Sequence, residues 1–229
     1  MLQAFALGAA SQLSLVLSAL LVFILIVPKR VVGALAAFGA GALIAAVARD
    51  LLPEAHQLQL LQASIWAMVG ASVFILGEHY VHKKFGSEGA AGALGIVVGA
   101  IVDGVPEAII FGIQMASGEK VSIAFLGAVF VSNIPQAVAP SADLRTAGWN
   151  WRRVAGLWGW VVLACGIAAV MGFGARSLAS EVSGARMAAF ASGGILAMLS
   201  NSLIPFANER SPTAGFWTVV GFCTSFAMT

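Results

Sequence analysis

Apolar runs about as long as a bilayer is thick recur along the chain from one end to the other. That recurrence leaves few folds open, because a run of about 20 apolar residues reads as a membrane-spanning helix. In hydrocarbon, each backbone N–H and C=O must be bonded within the protein, and a helix does this by itself. The composition agrees: 60% of the 229 residues are apolar and 10% are charged, which a soluble domain does not tolerate. No stretch suggests a soluble domain, a nucleic-acid partner or a low-complexity tail. The expected fold class is therefore an all-α polytopic membrane protein, with residues 1–229 forming one transmembrane domain in a lipid bilayer.

Eight spans are expected, at about 8–27, 31–49, 63–82, 91–115, 121–140, 154–173, 187–206 and 213–229. The first run has no basic residue before it and Lys29-Arg30 after it, so it reads as a span and not as a cleaved signal peptide. With the N-terminus outside, the inner loops carry Lys29, Arg30, Lys83, Lys84, Arg145, Arg152, Arg153 and Arg210. The outer side carries Arg49, Lys120, Arg176 and Arg186. Eight basic residues inside against four outside satisfy the positive-inside rule, and both termini are then expected outside a cytoplasmic or inner cell membrane.

The spans resemble one another in pairs. Ala36-Ala37-Phe38-Gly39-Ala40-Gly41-Ala42-Leu43-Ile44-Ala45 returns as Ala188-Ala189-Phe190-Ala191-Ser192-Gly193-Gly194-Ile195-Leu196-Ala197. Leu51-Leu52-Pro53-Glu54-Ala55 returns as Leu203-Ile204-Pro205-Phe206-Ala207. The second and seventh spans run in opposite directions, so the expected arrangement is an inverted repeat of three spans, a central pair and three more. Inverted repeats around polar sites at the midplane point to a secondary transporter.

The central pair carries two similar polar hexapeptides. These are Asp103-Gly104-Val105-Pro106-Glu107-Ala108 and Ser132-Asn133-Ile134-Pro135-Gln136-Ala137, each about 11 residues into its span and so near mid-membrane. Carboxylates at that depth are costly and mark function by default. Asp103 and Glu107 are four residues apart, on one helical face, as are Ser132 and Gln136. Pro106 and Pro135 free the carbonyls of Val102 and Val131. If the two spans pack antiparallel, Asp103, Glu107, Ser132, Asn133 and Gln136 can converge. Their oxygen atoms and two negative charges suit a divalent cation. Helix–helix glue and a proton relay are the other uses of such a cluster. Ala100, Gly104, Ala108 and Gly112 form a stripe of small residues beside it, and Ala164, Ala168 and Gly172 form another on span 6. Such stripes fit packing within the chain or against a second copy in a homodimer.

With these motifs, the chain resembles the ZIP (Zrt/Irt-like protein) family of divalent metal transporters over nearly its whole length. The family's fourth span carries His-Asn-x-Pro-Glu-Gly and its fifth a comparable polar motif with Glu after the proline. Its second span often ends in a sequence like Leu52-Pro53-Glu54. The resemblance implies a 3+2+3 inverted repeat and a non-enzymatic transporter without a resident cofactor. The implied cargo is zinc or a similar first-row divalent ion, carried toward the cytoplasm. Glu107 stands at the family's metal-binding Glu of span 4. Asp103 and Gly104 replace the His and Asn of that motif. Ser132 and Asn133 hold the polar positions of span 5, and Gln136 stands in place of a bridging Glu. Span 6, Val154 to Phe173, lacks the carboxylate that some members add. The implied site thus holds one hard or borderline ion, with Asp103 and Glu107 as main ligands. A non-transporting member with a degenerate site and a proton-linked carrier of a small solute are the alternatives.

Outside the centre, Asp50, Glu54 and His56 gather at the outer end of span 2 as a candidate vestibule, or simply as a solvated helix end. Glu78, His79 and His82 gather at the inner end of span 3 as candidate exit ligands, with Lys83 and Lys84 opposing that use. Asp143 and Arg145 are expected to form an interfacial ion pair. Cys165 and Cys223 sit in apolar segments and read as lipid- or core-facing thiols.

Overall fold

The computed structural model describes the chain apart from residues 86–88, 119–120, 179–180 and 228–229. It also leaves undescribed the side chains of residues 50, 54, 81–82, 84–85, 89–99, 102–103, 177–178 and 181–184. Every regular element among the described residues is helical. In chain order these are α1 (Leu2–Ser11), α2 (Leu13–Leu21), α3 (Lys29–Ala46), α4 (Leu52–Ala55), α5 (Leu60–Phe85) and α6 (Gly89–Ala116). They continue with α7 (Ile123–Thr146), α8 (Trp151–Leu178), α9 (Glu181–Met198), α10 (Ile204–Arg210) and α11 (Ala214–Ala227). Two π-helical turns, Val47–Leu51 and Leu199–Leu203, join α3 to α4 and α9 to α10.

Among the described residues, six stretches are long and apolar enough to cross a membrane: Leu2–Leu21, Lys29–Arg49, Leu60–Tyr80, Ile123–Thr146, Trp151–Arg176 and Ala185–Arg210. Ala214–Ala227 is a shorter apolar helix, and Gly104–Ala116 is the part of α6 in which every side chain is described. The chain is thus an all-α protein built for a membrane. Large apolar side chains such as Leu17, Leu76, Trp160 and Met171 lie exposed on the outer helix faces, where lipid replaces water as the solvent. Among the spans, α5 is the most peripheral: only 11% of its apolar window is buried, against 67% for the span that contains α3.

The first span differs from expectation. It begins at Leu2 and ends at Leu21, not at 8–27, and it is broken at Gln12, whose φ of −97° and ψ of 0° separate α1 from α2. Elsewhere the prolines explain the irregularities. Pro53 and Pro205 follow the two π turns. A proline ring clashes with the carbonyl four residues back, and a widened turn removes that clash. The widening shows in the bonds: Leu52 N–H reaches back to the Val47 carbonyl, and Ile204 N–H to that of Leu199. By contrast, α6 stays helical through Pro106, and α7 through Pro135 and Pro140.

Small residues set the closest approaches. A Cβ on Gly41 would lie 1.8 Å from the Thr218 carbonyl oxygen, and one on Gly193 would lie 1.9 Å from that of Ala67. These glycines let α3 meet α11, and α9 meet α5, backbone to backbone. Gly221 against the Phe38 carbonyl and Gly70 against the Phe190 carbonyl complete the same two seams from the other side. The Ala100–Gly104–Ala108–Gly112 stripe packs on α8: a Cβ on Gly112 would meet the Ala169 carbonyl oxygen at 2.0 Å. Ala168 is buried and Gly172 abuts the Ile109 carbonyl, so the span-6 stripe is used within the chain.

The core has two main clusters. One joins Leu43, Leu51, Ile195, Met198 and Leu199 to Phe111 and Phe125. The other joins Leu15, Trp158, Val161 and Cys165 to Ala108 and Ala137. Both α6 and α7 contribute to each cluster and so lie at the centre. Trp158 is fully buried and donates its indole N–H to Ser141 Oγ at 2.9 Å, tying α8 to α7. Arg145 turns away from the expected pairing with Asp143 and donates to the Val22 carbonyl at the end of the first span.

The seams generate a prediction. Gly193→Val and Gly41→Val place a side chain against a backbone oxygen that cannot move aside, so each variant loses about 1–3 kcal/mol or more of stability. Gly159→Ala, which faces open space, leaves the unfolding midpoint in detergent unchanged. Thermal unfolding of the three purified variants checks this.

Candidate functional site

The first span breaks where it meets the two central hexapeptides. Ser11 closes α1 by donating its hydroxyl to the Gly8 carbonyl at 2.8 Å. The next residue, Gln12, is completely buried. Its Nε2 donates to Glu107 Oε2 at 3.3 Å, and its Oε1 accepts from Asn133 Nδ2 at 2.8 Å. Asn133 Nδ2 also lies 3.5 Å from the Ser11 carbonyl oxygen. Three spans thus contribute to one buried polar chain: Glu107 from α6, Gln12 from the break in the first span, and Asn133 from α7. Glu107 is 1% exposed and Asn133 2%.

Gln12 turns its NH₂ group toward Glu107, the orientation that suits an ionised carboxylate, which only accepts. Its oxygen then faces Asn133, which supplies an N–H. Every buried polar atom of the Gln12 carboxamide is engaged, as burial away from water requires.

Packing holds the chain in place. Gly104, one turn before Glu107, leaves the space into which the first span and α8 close. A Cβ there would lie 2.9 Å from Cys165 Sγ and 3.4 Å from Gln12 Cδ. One turn beyond Glu107 on α6, Phe111 meets Phe125 of α7, with ring centroids 4.9 Å apart and planes tilted by 35°. Both rings are fully buried. Farther along α6, Gln114 Oε1 is buried without a hydrogen-bond partner among the described atoms.

Of the five residues singled out in the sequence, the structure gathers Glu107 and Asn133, and it does so through a sixth, Gln12. Asp103 lies on α6 one turn before Glu107, and its side chain is outside the described residues. Ser132 is fully buried but donates to the Val129 carbonyl of its own helix at 3.0 Å. Its backbone lies against Gly39 of α3, where a Cβ would come within 2.6 Å of Ser132 Cα. Gln136 is half-buried one turn along α7, and among the described residues it joins no hydrogen bond of this chain. Among the described residues no three His, Cys, Asp or Glu side chains form a metal-binding group.

Gln12 was legible in part. It sits in Ser11-Gln12-Leu13-Ser14, a polar interruption of the first apolar run. Starting the span at residue 8 puts Gln12 near an interface, where polarity needs no explanation. Starting it at Leu2 puts Gln12 ten residues in, about 15 Å along the helix and deep in the membrane.

The peripheral groups are placed as follows. Glu78 is engaged by the second π turn, accepting from Asn201 Nδ2 at 3.3 Å and from the Ser202 hydroxyl. His79 is exposed, and the side chain of His82 lies outside the described residues. The side chains of Asp50 and Glu54 lie outside them too, and His56 is exposed. No protein-family model matches this chain, and no curated protein matches it.

If the carboxamides stitch the three spans together, removing them should show coupling. Gln12→Ala and Asn133→Ala in a double-mutant cycle should give a coupling energy of about 0.6–1.7 kcal/mol, the range for hydrogen bonds between membrane helices. Reversible unfolding in mixed micelles measures it, and additive effects would show that the contact contributes nothing to stability.

Proposed function

We propose that the chain is a ZIP-like transporter, carrying a divalent metal cation across the membrane toward the cytoplasm. The observation that carries this reading is the Glu107–Gln12–Asn133 chain, a carboxylate buried at membrane depth beside a broken span. Irregular backbone at that depth is tolerated where it is buried in protein or lines a cavity, and broken helices meeting at the midplane are a transporter feature. Glu107 is the primary ligand in this reading, with Asp103 one turn before it on α6. Asn133, Ser132 and Gln136 are the secondary ligands proposed from the sequence. The cargo is zinc or a similar first-row ion. The proposal needs no covalent chemistry and no resident cofactor.

The arrangement of eight spans as 3+2+3 belongs to the same proposal, with α6 and α11 completing the set. Its support is a correspondence between two halves of the chain. The π turns Val47–Leu51 and Leu199–Leu203 fall at matching positions of the repeated sequence. So do Gly41 and Gly193, each seated against a carbonyl of a neighbouring span. Arg49 of the first π turn donates to the Phe226 carbonyl of α11 at 2.9 Å, as Asn201 of the second donates to Glu78 of α5. The placement of both termini outside rests on the distribution of basic residues.

A second reading keeps the fold and drops transport. Gln136, in the place of a bridging Glu, favours it, because the site then has less charge to bind a divalent ion. One experiment separates the two. Proteoliposomes containing the wild type should take up at least one of Zn²⁺, Cd²⁺, Mn²⁺ and Fe²⁺. Glu107→Gln should abolish that uptake while the protein stays folded, since the new amide oxygen still accepts from Gln12. Uptake that survives in Glu107→Gln would remove Glu107 from the pathway. No uptake of any ion by folded wild type would favour the scaffold.

A further inference from the structure

We infer that Gln12 is itself a ligand of the transported cation, and that it becomes one by reversing the direction of its hydrogen bonds with Asn133. The inference rests on the transport reading and adds a residue from the first span to a site otherwise assigned to α6 and α7.

The geometry supplies the reason. Gln12 Nε2 occupies a position on Glu107 Oε2 that a cation bound by that carboxylate would also seek. An N–H donor and a metal ion are both positive and compete for the same oxygen. The carboxamide can leave without leaving its cavity, because its two ends have nearly the same shape. A half-turn about the terminal bond exchanges Nε2 and Oε1, directing the oxygen at the cation and the N–H at Asn133. A matching half-turn of Asn133 presents its Oδ1 to accept that N–H. In the present register Asn133 Nδ2 occupies both Gln12 Oε1 and the Ser11 carbonyl. In the reversed register Asn133 Oδ1 stands where Nδ2 does now, and the long contact from that amide to the Ser11 carbonyl is given up.

Each register leaves the Gln12–Asn133 bond intact, with donor and acceptor exchanged. Burial demands this, because an unpaired amide in the membrane interior is costly. The resulting donor set is a carboxylate and a carboxamide oxygen. These are hard ligands, suited to a divalent ion of the Mn²⁺ or Mg²⁺ type and less to a soft one. If Gln12 were simple glue, its chemistry would matter for folding and not for ion affinity.

Mn²⁺ titration of the full-length protein in nanodiscs, read as the shift of its thermal midpoint, tests this without relying on transport. Gln12→Met keeps length and loses both donor and acceptor, and its Mn²⁺ affinity should fall by about tenfold or more. Gln12→Glu offers oxygen in every orientation and adds charge, so its affinity should rise by about tenfold while its ion-free midpoint falls. If the Met variant does not fold, the Glu variant decides alone. Wild-type affinity in the folded variants, with clear binding by the wild type, overturns the role of Gln12 and leaves the transport reading standing. No Mn²⁺ or Zn²⁺ binding by the wild type overturns both.

Discussion

A carboxylate in the middle of an apolar helix bundle has to be held by the protein that buries it. Glu107 sets that condition here, and much of the central packing follows from it. A donor must reach it from a neighbouring span, and Gln12 does so from a helix break. Asn133 reaches both the Ser11 carbonyl beside the break and Gln12. Gly104 keeps the adjoining surface of α6 low enough for Gln12 and Cys165 to approach. Replacing the carboxylate with an apolar side chain would remove the reason for each of these features. Their joint presence is therefore better explained by a demand at Glu107 than by packing alone.

The outer framework obeys a different constraint. Lipid tails are as apolar as leucine, so helices in a membrane gain little from hiding apolar surface and depend on close contact. Glycine supplies that contact where α3 meets α11 and α9 meets α5, with one backbone against another. The two π turns then steer the ends of α3 and α9 past their prolines. Both turns also carry polar side chains to a neighbouring span, Arg49 to α11, and Asn201 and Ser202 to α5. A polar residue on a widened turn can reach sideways to bond across a seam. The site thus lies in a centre shared by both core clusters, between two flanks built on the same principle.

Ser132 and Asn133 show how much depends on direction. They are adjacent in sequence, equally polar and both buried. Helical geometry turns them about 100° apart. Asn133 faces the broken first span and enters the polar chain, whereas Ser132 faces Gly39 and bonds its own helix. A list of polar residues in a hexapeptide does not distinguish them, because the choice is made by whichever helix lies alongside.

The amino-acid sequence by itself determined the membrane class, most of the helices and the likeness between residues 36–55 and 188–207. These follow from local quantities: the length of apolar runs, the offset between repeated segments, and the prolines that follow each π turn. Glu107 was legible for the same reason, since a carboxylate deep in an apolar run is conspicuous wherever the partner helices lie. Tertiary structure alone decided which residues meet it. The small-residue stripe of α6 turned to α8, Ser132 turned to α3, and Gln12 came in from a span whose true start had to be known first. Those choices depend on the rotation and depth of each helix against its neighbours. Rotation and depth are set by packing between segments far apart in sequence, which no single segment encodes.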